Sequence, residues 1–326
     1  MSHSPRVAFA AGFAALAAAA LLLALGCNPR EHATGPRVVS PDAPLRVVVT
    51  IRPLELIVRE LVDPADTALV RIDTLIPVES TPHGFDPPPA QVAALERADL
   101  AVSVGYGLDA WAEKVRGARP LVVFASLEST LDGSAALASG MPPHAHPTHH
   151  PAADPHLWLD PTLVAPLAQA VTAALKAQLA PSAGGEALAA RLDARLARFL
   201  DVVARTDELT RTTLAPYQGR GVVTFHDSLH RYAERYGLLI AAVLKPIEGV
   251  EPAPADLRQT IDEVKHHGIT TLFVEPEYPT TAAERVAEQS GVRLMSIDTL
   301  GLHARNWQQM MDVLARTLAE GIGDQP

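Results

Sequence analysis

Short apolar runs alternate with segments of helical spacing along the first half of the chain. The runs are rich in Val, Ile and Leu and have the length of strands buried in a parallel sheet. They occupy residues 45–51, 68–76, 100–104 and 121–125. Helical spacing follows at residues 54–61, 90–98 and 109–115. Such β–α alternation predicts an α/β fold with a parallel sheet covered by helices.

The same scheme returns in the second half. Strand-like runs occupy residues 221–225, 238–244, 271–274 and 293–297. Helical patterns occupy residues 226–236, 256–267, 281–290 and 306–322. The chain therefore predicts two similar lobes, each with a parallel β-sheet flanked by helices.

A long amphipathic segment separates the two halves. A helix is predicted at 162–179, Pro and Gly interrupt it at 181–185, and a second helix runs over 186–214. Apolar residues recur on one face of this second helix at steps of three and four. They are Leu188, Leu192, Leu196, Phe199 and Val203. At 1.5 Å per residue the helix spans roughly 40 Å, which suits a rigid strut between two lobes.

These patterns predict a domain order. Residues 1–27 form a signal peptide and 28–44 a flexible tether. The N-terminal lobe spans 45–182 and contains a histidine-rich loop at 141–153. The linking helix spans 183–216, and the C-terminal lobe spans 217–326.

The N-terminal apolar run has the layout of a signal peptide. Residues 7–26 are rich in Ala and Leu, follow Arg6, and end in Leu-Ala-Leu-Gly-Cys27. This ending resembles a bacterial lipoprotein processing site and predicts a lipid on Cys27 that anchors the protein to a membrane. A plain secretory signal and an uncleaved anchor are the alternatives. All three place the remaining chain outside the cytoplasm, in the periplasm or cell envelope.

Charge and cysteine content exclude some functions. The formal net charge is −10 and no basic stripe is present, which argues against a nucleic-acid partner. Cys27 is the single cysteine of the chain, so a thiolate zinc site and an intrachain disulfide are excluded.

Four residues share one placement in the predicted fold. His83, His156, His226 and Asp298 each lie just beyond a strand or at the start of a helix, two in each lobe. Ligands of open α/β sheets bind at such positions. Three imidazoles and one carboxylate suit tetrahedral zinc. Taken singly, each histidine is more often structural or exposed to solvent, and the repeated placement is what favours a joint metal site.

The loop before His156 is rich in Pro and His and has no apolar period. His144, His146, His149 and His150 are predicted to form weak secondary metal sites. The alternative is a polar linker without a metal role.

Five motifs in this order make the chain similar to a known family. They are Thr-Pro-His83-Gly-Phe-Asp-Pro, Asp-Pro-His156-Leu-Trp-Leu-Asp-Pro, Phe-His226-Asp-Ser-Leu-His-Arg-Tyr, Phe-Val-Glu275-Pro-Glu and Ile-Asp298-Thr-Leu-Gly. Together they resemble the metal-binding cluster A-I receptors of bacterial ABC importers, in particular the zinc-uptake branch. The resemblance covers the chain from about residue 45 to its end.

The resemblance implies a function and its partners. The protein would be a monomeric receptor that delivers Zn²⁺ to a membrane permease and its ATPase, with limited hinge motion and no enzymatic step. The ligands would be His83, His156, His226 and Asp298. Mn²⁺ is less favoured, because the manganese branch tends to carry a carboxylate at the position of His226. Thr299 departs from the family, which usually has Pro there, and is not expected to disturb Asp298.

Two other classes of protein compete with this interpretation. His226-Asp-Ser-Leu-His230 resembles the helical His-Glu-x-x-His motif of zinc-dependent hydrolases, with Asp in place of Glu. A metal-binding adhesin is the other alternative, since relatives use the same fold for adhesion. Trp158 is predicted to be a core residue beside His156.

Overall fold

Two parallel four-stranded sheets form the frame of the protein. The computed structural model describes residues 35–117, 119–128, 154–245 and 251–323, all of which lie in one compact unit. The predicted signal peptide with Cys27, and the loop histidines His144, His146, His149 and His150, lie outside the described residues.

The sheet of the N-terminal lobe has the strand order β2-β1-β3-β4, and every pairing is parallel. Its strands are β1 (Leu45–Val49), β2 (Val70–Thr74), β3 (Leu100–Ser103) and β4 (Leu121–Val123). Its helices are α1 (Arg52–Glu60), α2 (Pro89–Arg97) and α3 (Ala110–Arg116). Strands β1 and β3 are central, and their buried apolar residues match the continuous Val- and Leu-rich runs of the sequence.

The sheet of the C-terminal lobe repeats this order as β6-β5-β7-β8, again all parallel. Its strands are β5 (Gly221–His226), β6 (Leu239–Lys245), β7 (Thr271–Val274) and β8 (Arg293–Ser296). Its helices are α6 (His230–Tyr236), α7 (Pro254–His267), α8 (Thr281–Ser290) and α9 (Trp307–Gly323). In both lobes the first strand is an inner strand. Two parallel sheets flanked by helices confirm the predicted two-lobed α/β fold.

A helix of 32 residues joins the lobes. Helix α4 (Pro161–Ala177) ends the N-terminal lobe, and helix α5 (Ala183–Leu214) follows it after a short break. The Ser182 side chain caps α5 by accepting a hydrogen bond of 3.1 Å from the backbone N–H of Gly185. Helix α5 is about 48 Å long at 1.5 Å per residue, and it packs against α4 and α9. The predicted strut is therefore present.

One helix begins later than the sequence predicted. The pattern placed a helix from residue 226, whereas His226 is the last residue of β5 and α6 begins at His230. His226 pairs with Lys245 in the sheet, and a turn follows in which the Ser228 N–H donates to the His226 carbonyl. Sheet pairing at this position overrides the helical spacing of the sequence.

Two buried tryptophans connect the lobes. The indole N–H of Trp158 donates to the carbonyl of Thr299 at 2.8 Å, and that of Trp307 donates to the carbonyl of Trp158 at 2.9 Å. Both indoles are completely buried, so each of their N–H groups has the partner that burial demands. In the described part of the chain, no helix combines the length and the apolar character of a membrane span.

Candidate metal centre

His83 lies in the loop that follows β2. Its backbone N–H donates to the Thr81 hydroxyl at 3.3 Å, and the next residue, Gly84, has a φ of 71°, which favours glycine. The Nε2 atom of His83 is buried and has no hydrogen-bond partner among the described residues. A buried nitrogen of this kind is available to a ligand.

His156 precedes the 3₁₀ turn Leu157–Leu159 at the start of α4. Asp154 holds it twice: one carboxylate oxygen lies 2.7 Å from Nδ1 of the ring and accepts from the His156 backbone N–H at 2.9 Å. The Trp158 ring packs against the imidazole with centroids 5.3 Å apart. Trp158 is therefore a core residue beside His156, as predicted, and the Nε2 side of His156 is left for a ligand.

His226 ends β5 and is buried. Its Nδ1 atom lies 3.4 Å from a carboxylate oxygen of Glu275, and the Ser228 hydroxyl donates to that same oxygen at 2.6 Å. The Tyr278 ring lies 5.1 Å from the imidazole. Glu275 thus lies on the Nδ1 side of His226, but at a longer distance than the 2.7 Å that separates Asp154 from Nδ1 of His156.

The structure brings His83, His156 and His226 together. One ring nitrogen of each lies within 4.8 Å of the other two, and the ring centroids are 4.8 to 5.5 Å apart. Zn–N bonds of about 2.0–2.1 Å in a tetrahedral shell place two nitrogens ~3.3 Å apart. Small side-chain rotations therefore convert this triangle into a zinc-binding face. The three imidazoles line one cavity of about 10 Å³, which is about the size of one water molecule.

Burial sets the charge of His83. Burial lowers the pKa of His83 to about 2, and the nearby His156 and His226 contribute in the same direction. The imidazole of His83 is therefore neutral at pH 7, which is the form that binds metal ions. Burial also raises the pKa of the Glu277 carboxyl to about 7, and the charges of Glu275 and Asp298 add to this effect.

The fourth predicted residue, Asp298, is not part of the histidine group. It is half-buried at the end of β8, and its two carboxylate oxygens face the backbone N–H groups of Leu300 (3.2 Å) and His303 (3.5 Å). The adjacent Thr299 lines the cavity.

Glu277 lines the same cavity and was missed by the sequence analysis. Its signal was present in the motif Phe-Val-Glu275-Pro-Glu277, which places two carboxylates just beyond the end of β7. The place of Glu277 at the cavity depends on how the lobes pack, which the motif alone does not encode.

The hydrolase interpretation needs His226 and His230 on one helix, and the structure separates them. His226 belongs to a strand, while His230 begins α6 and its Nδ1 contacts the carboxylate of Asp227. That contact, aided by the Asp227 charge and opposed by burial, raises the pKa of His230. His230 is not in the histidine group.

Fold and site together define a two-lobed α/β metal-binding protein of the solute-receptor class. Two histidines of the N-terminal lobe and one of the C-terminal lobe form one cluster. The chain belongs to the family described as "Zinc-uptake complex component A periplasmic", which matches residues 47–321.

Proteins with similar sequences are named as zinc uptake proteins. The chain is 27% identical over 305 residues to a high-affinity zinc uptake system protein ZnuA of Yersinia pestis, an alignment that covers 88% of this chain and 89% of that protein. It is 26% identical over 290 residues to the protein of the same name in Bacillus subtilis, covering 87% and 86% of the two chains.

Solved structures agree with the fold. A crystal structure of a 138–173 ZnuA deletion mutant with zinc bound superposes with a TM-score of 0.69 at 27% identity, over 87% of this chain and all of that chain. A periplasmic zinc-binding protein, TroA of Treponema pallidum, gives a TM-score of 0.70 at 18% identity, over 86% of this chain and 99% of that one. At 18% identity, the similarity to TroA supports the fold and carries no argument about function.

Proposed function

We propose that this protein is an extracytoplasmic receptor that binds Zn²⁺ with high affinity and delivers it to the membrane permease of an ABC importer, which its ATPase drives. One observation carries the proposal. Three imidazoles from two lobes place ring nitrogens within 4.8 Å of each other, in a chain that belongs to a zinc-uptake family. The similar proteins of Yersinia and Bacillus are named as high-affinity zinc uptake system proteins.

The donor atoms favour zinc over manganese. Imidazole nitrogen suits Zn²⁺, whereas Mn²⁺ prefers carboxylate, carbonyl and water oxygens. His83, His156 and His226 supply three nitrogens, and Asp298 is the proposed fourth ligand. A shell filled by four protein ligands keeps no position for an activated water, so the proposed action is capture and release without bond-making.

Zinc can be released because its ligands come from both lobes. His83 and His156 belong to the N-terminal lobe and His226 to the C-terminal lobe. A permease that draws the lobes apart by a small angle removes part of the nitrogen set, and the affinity falls. The proposal does not require unfolding of either lobe.

Regions outside the described residues complete the proposal. Cys27 carries a lipid that anchors the mature protein to a membrane. His144, His146, His149 and His150 form weak secondary zinc sites, and the receptor acts as a monomer. Mass spectrometry of the mature N-terminus tests the lipid: an unmodified chain that begins elsewhere than Cys27 contradicts it.

Single substitutions of the histidines test the site. We expect His83→Ala, His156→Ala and His226→Ala each to abolish tight zinc binding in titration calorimetry, because two remaining nitrogens no longer form a closed shell. His267→Ala is the matched control: His267 lies at the end of α7 and pairs with Glu263 at 3.4 Å. This control should bind zinc like the wild type.

Metal content distinguishes the cargo. Purified protein offered zinc and manganese together, and then washed free of weakly bound metal, should hold one zinc and no manganese when measured by mass spectrometry. Tight zinc binding that survives all three histidine substitutions contradicts the site. A preference for manganese contradicts the cargo and leaves the site in place.

A further inference from the structure

One helix of the C-terminal lobe reaches the segment that carries His156. Helix α6 follows β5 after only three residues, so it forms one piece with His226 at the end of that strand. Arg231 and Arg235 lie four residues apart on α6 and therefore share a face. That face is turned to acidic residues of the N-terminal lobe and the linking helix.

Arg231 makes contacts to both Asp154 and Glu128. Its Nε donates to the Asp154 carbonyl at 3.1 Å and lies 3.5 Å from a carboxylate oxygen of Asp154. Its two terminal nitrogens donate to the two oxygens of Glu128 at 2.5 and 3.3 Å. The side chains are only 16%, 14% and 12% exposed for Arg231, Asp154 and Glu128, so water screens these ion pairs little.

Asp154 also contacts His156, which is one of the proposed zinc ligands. Its other carboxylate oxygen is the one that lies 2.7 Å from Nδ1 of His156 and accepts from the His156 backbone. The imidazole orientation thus depends on Asp154, and the position of Asp154 depends on Arg231. Both links are charge-assisted and mostly withdrawn from solvent.

We propose that Arg231 is a positioning residue for the metal site. It holds Asp154, and through it the His156 ring, onto the piece of the C-terminal lobe that carries His226. This inference rests on the proposed zinc function and adds to it a connection between the lobes. The site is thereby preorganised before zinc arrives, and zinc leaves slowly while the connection is intact.

Arg235 provides an internal comparison. It donates to both oxygens of Asp207 on α5, at 2.7 and 3.0 Å, and one of its terminal nitrogens lies 3.6 Å from a carboxylate oxygen of Asp160. Arg235 is as enclosed as Arg231, with 19% exposure, but no hydrogen bond connects it to Asp154. Its role is to stabilise the contact between α5 and α6.

The experiment compares Arg231→Gln with Arg235→Gln in the full chain. Loss of outer-shell partners costs about 10- to 100-fold in metal affinity. We expect Arg231→Gln to raise the zinc dissociation rate constant about tenfold, measured by stopped-flow transfer to a chelator. Arg235→Gln should lower the melting temperature but leave this rate within about twofold, which is close to the accuracy of such additivity arguments.

A double-mutant cycle tests the route through Asp154. Asp154→Ala removes the carboxylate that contacts His156. If Arg231 acts through that carboxylate, Arg231→Gln should change the zinc dissociation rate by less than about twofold in an Asp154→Ala background. Arg231→Lys keeps the charge but not the bidentate contact, so it should fall between wild type and Arg231→Gln. This milder variant also serves if Arg231→Gln does not fold.

A second readout needs no metal. Long-range proton–nitrogen spectra of the apo protein should show the His156 ring in one tautomer, with a proton on Nδ1, in wild type and Arg235→Gln, and in exchange between tautomers in Arg231→Gln. Equal dissociation rates and identical His156 spectra in all three proteins overturn the proposal. Weak zinc binding by the wild type contradicts the proposed function instead, and the His156 spectra still decide the role of Arg231.

Discussion

At the scale of single residues, the site depends on which nitrogen of each imidazole is occupied. Asp154 takes the Nδ1 side of His156, and Glu275 lies on the Nδ1 side of His226. His83 has no such carboxylate and instead keeps a buried Nε2 without a hydrogen-bond partner among the described residues. The Nε2 atom of His156 is therefore left to face an ion, and the Asp154 carboxylate increases the basicity of this ligand.

At this scale we predict that Asp298 is the oxygen ligand of the zinc ion. We expect Asp298→Asn to weaken zinc binding by at least about 10-fold, since even outer-shell partners account for 10- to 100-fold. Glu277→Gln is the comparison, because Glu277 lines the same cavity and burial raises its pKa to about 7, which disfavours the charged form that a metal ion needs. Titration calorimetry at pH 7 gives both affinities. A large loss in Glu277→Gln with none in Asp298→Asn makes Glu277 the ligand.

At the scale of elements, Asp207 ties the linking helix to the C-terminal lobe. Its carboxylate on α5 accepts from Arg235 and Tyr236 on α6 and from Arg211 one turn along α5. Burial of Asp207 opposes ionisation, but the hydrogen bonds from these three residues outweigh it and lower the pKa of Asp207 below its ordinary 3.8. The helix junction is therefore held by an ionised carboxylate.

Asp207→Asn should destabilise the protein in a pH-dependent way. Because the pKa of Asp207 is lower in the folded state, its stabilisation is complete above pH 3.8 and is lost as the pH falls through the folded pKa. We expect a loss of ~2–3 kcal/mol in the free energy of unfolding at pH 7, which shrinks toward zero in acid. Urea titrations from pH 7 to pH 3 measure this difference.

Asp193→Asn is the control on the same helix. Asp193 pairs with Lys176 at 2.6 Å, but its side chain is 53% exposed. Exposed pairs of this kind contribute ~0–1 kcal/mol, so the change should be small at every pH. Equal losses in the two variants would show that the Asp207 junction has no special weight.

At the scale of the whole molecule, two sheets of the same strand order face one cluster of histidines. The indole hydrogen bonds of Trp158 and Trp307 cross between the lobes, and Arg52 of α1 donates to the carbonyl of Ala304 at 3.0 Å. These contacts hold the lobes at a spacing at which ring nitrogens from both lie within 4.8 Å. The histidine group is thus assembled by residues of the frame.

Deletion of residues 144–150 tests whether the two-lobed fold binds zinc tightly without the loop histidines. The shortened protein should keep one tight zinc site and lose the weak ones, as counted by titration calorimetry. Zinc at 100 times its dissociation constant should still stabilise it by ~2.7 kcal/mol against unfolding, as it does the full chain. If the tight site disappears as well, the loop histidines belong to that site.

The sequence alone was sufficient for the α/β architecture, the two lobes and the long helix. These features follow from local periodicity: parallel strands buried on both faces require continuous apolar runs, and helix α5 requires apolar residues at steps of three and four. The motif order was also sufficient for the family. Placement of His83 and His226 just beyond or at strand ends followed from the same patterns.

Tertiary structure decided the rest, because distances between residues far apart in the chain depend on packing. Pairing with Lys245 kept His226 in a strand and moved the start of α6 to His230. Packing of the two lobes brought three histidines together, left Asp298 outside their group and turned Glu277 toward the cavity. The contact between Arg231 and Asp154 joins residues 77 positions apart, and no local pattern encodes it.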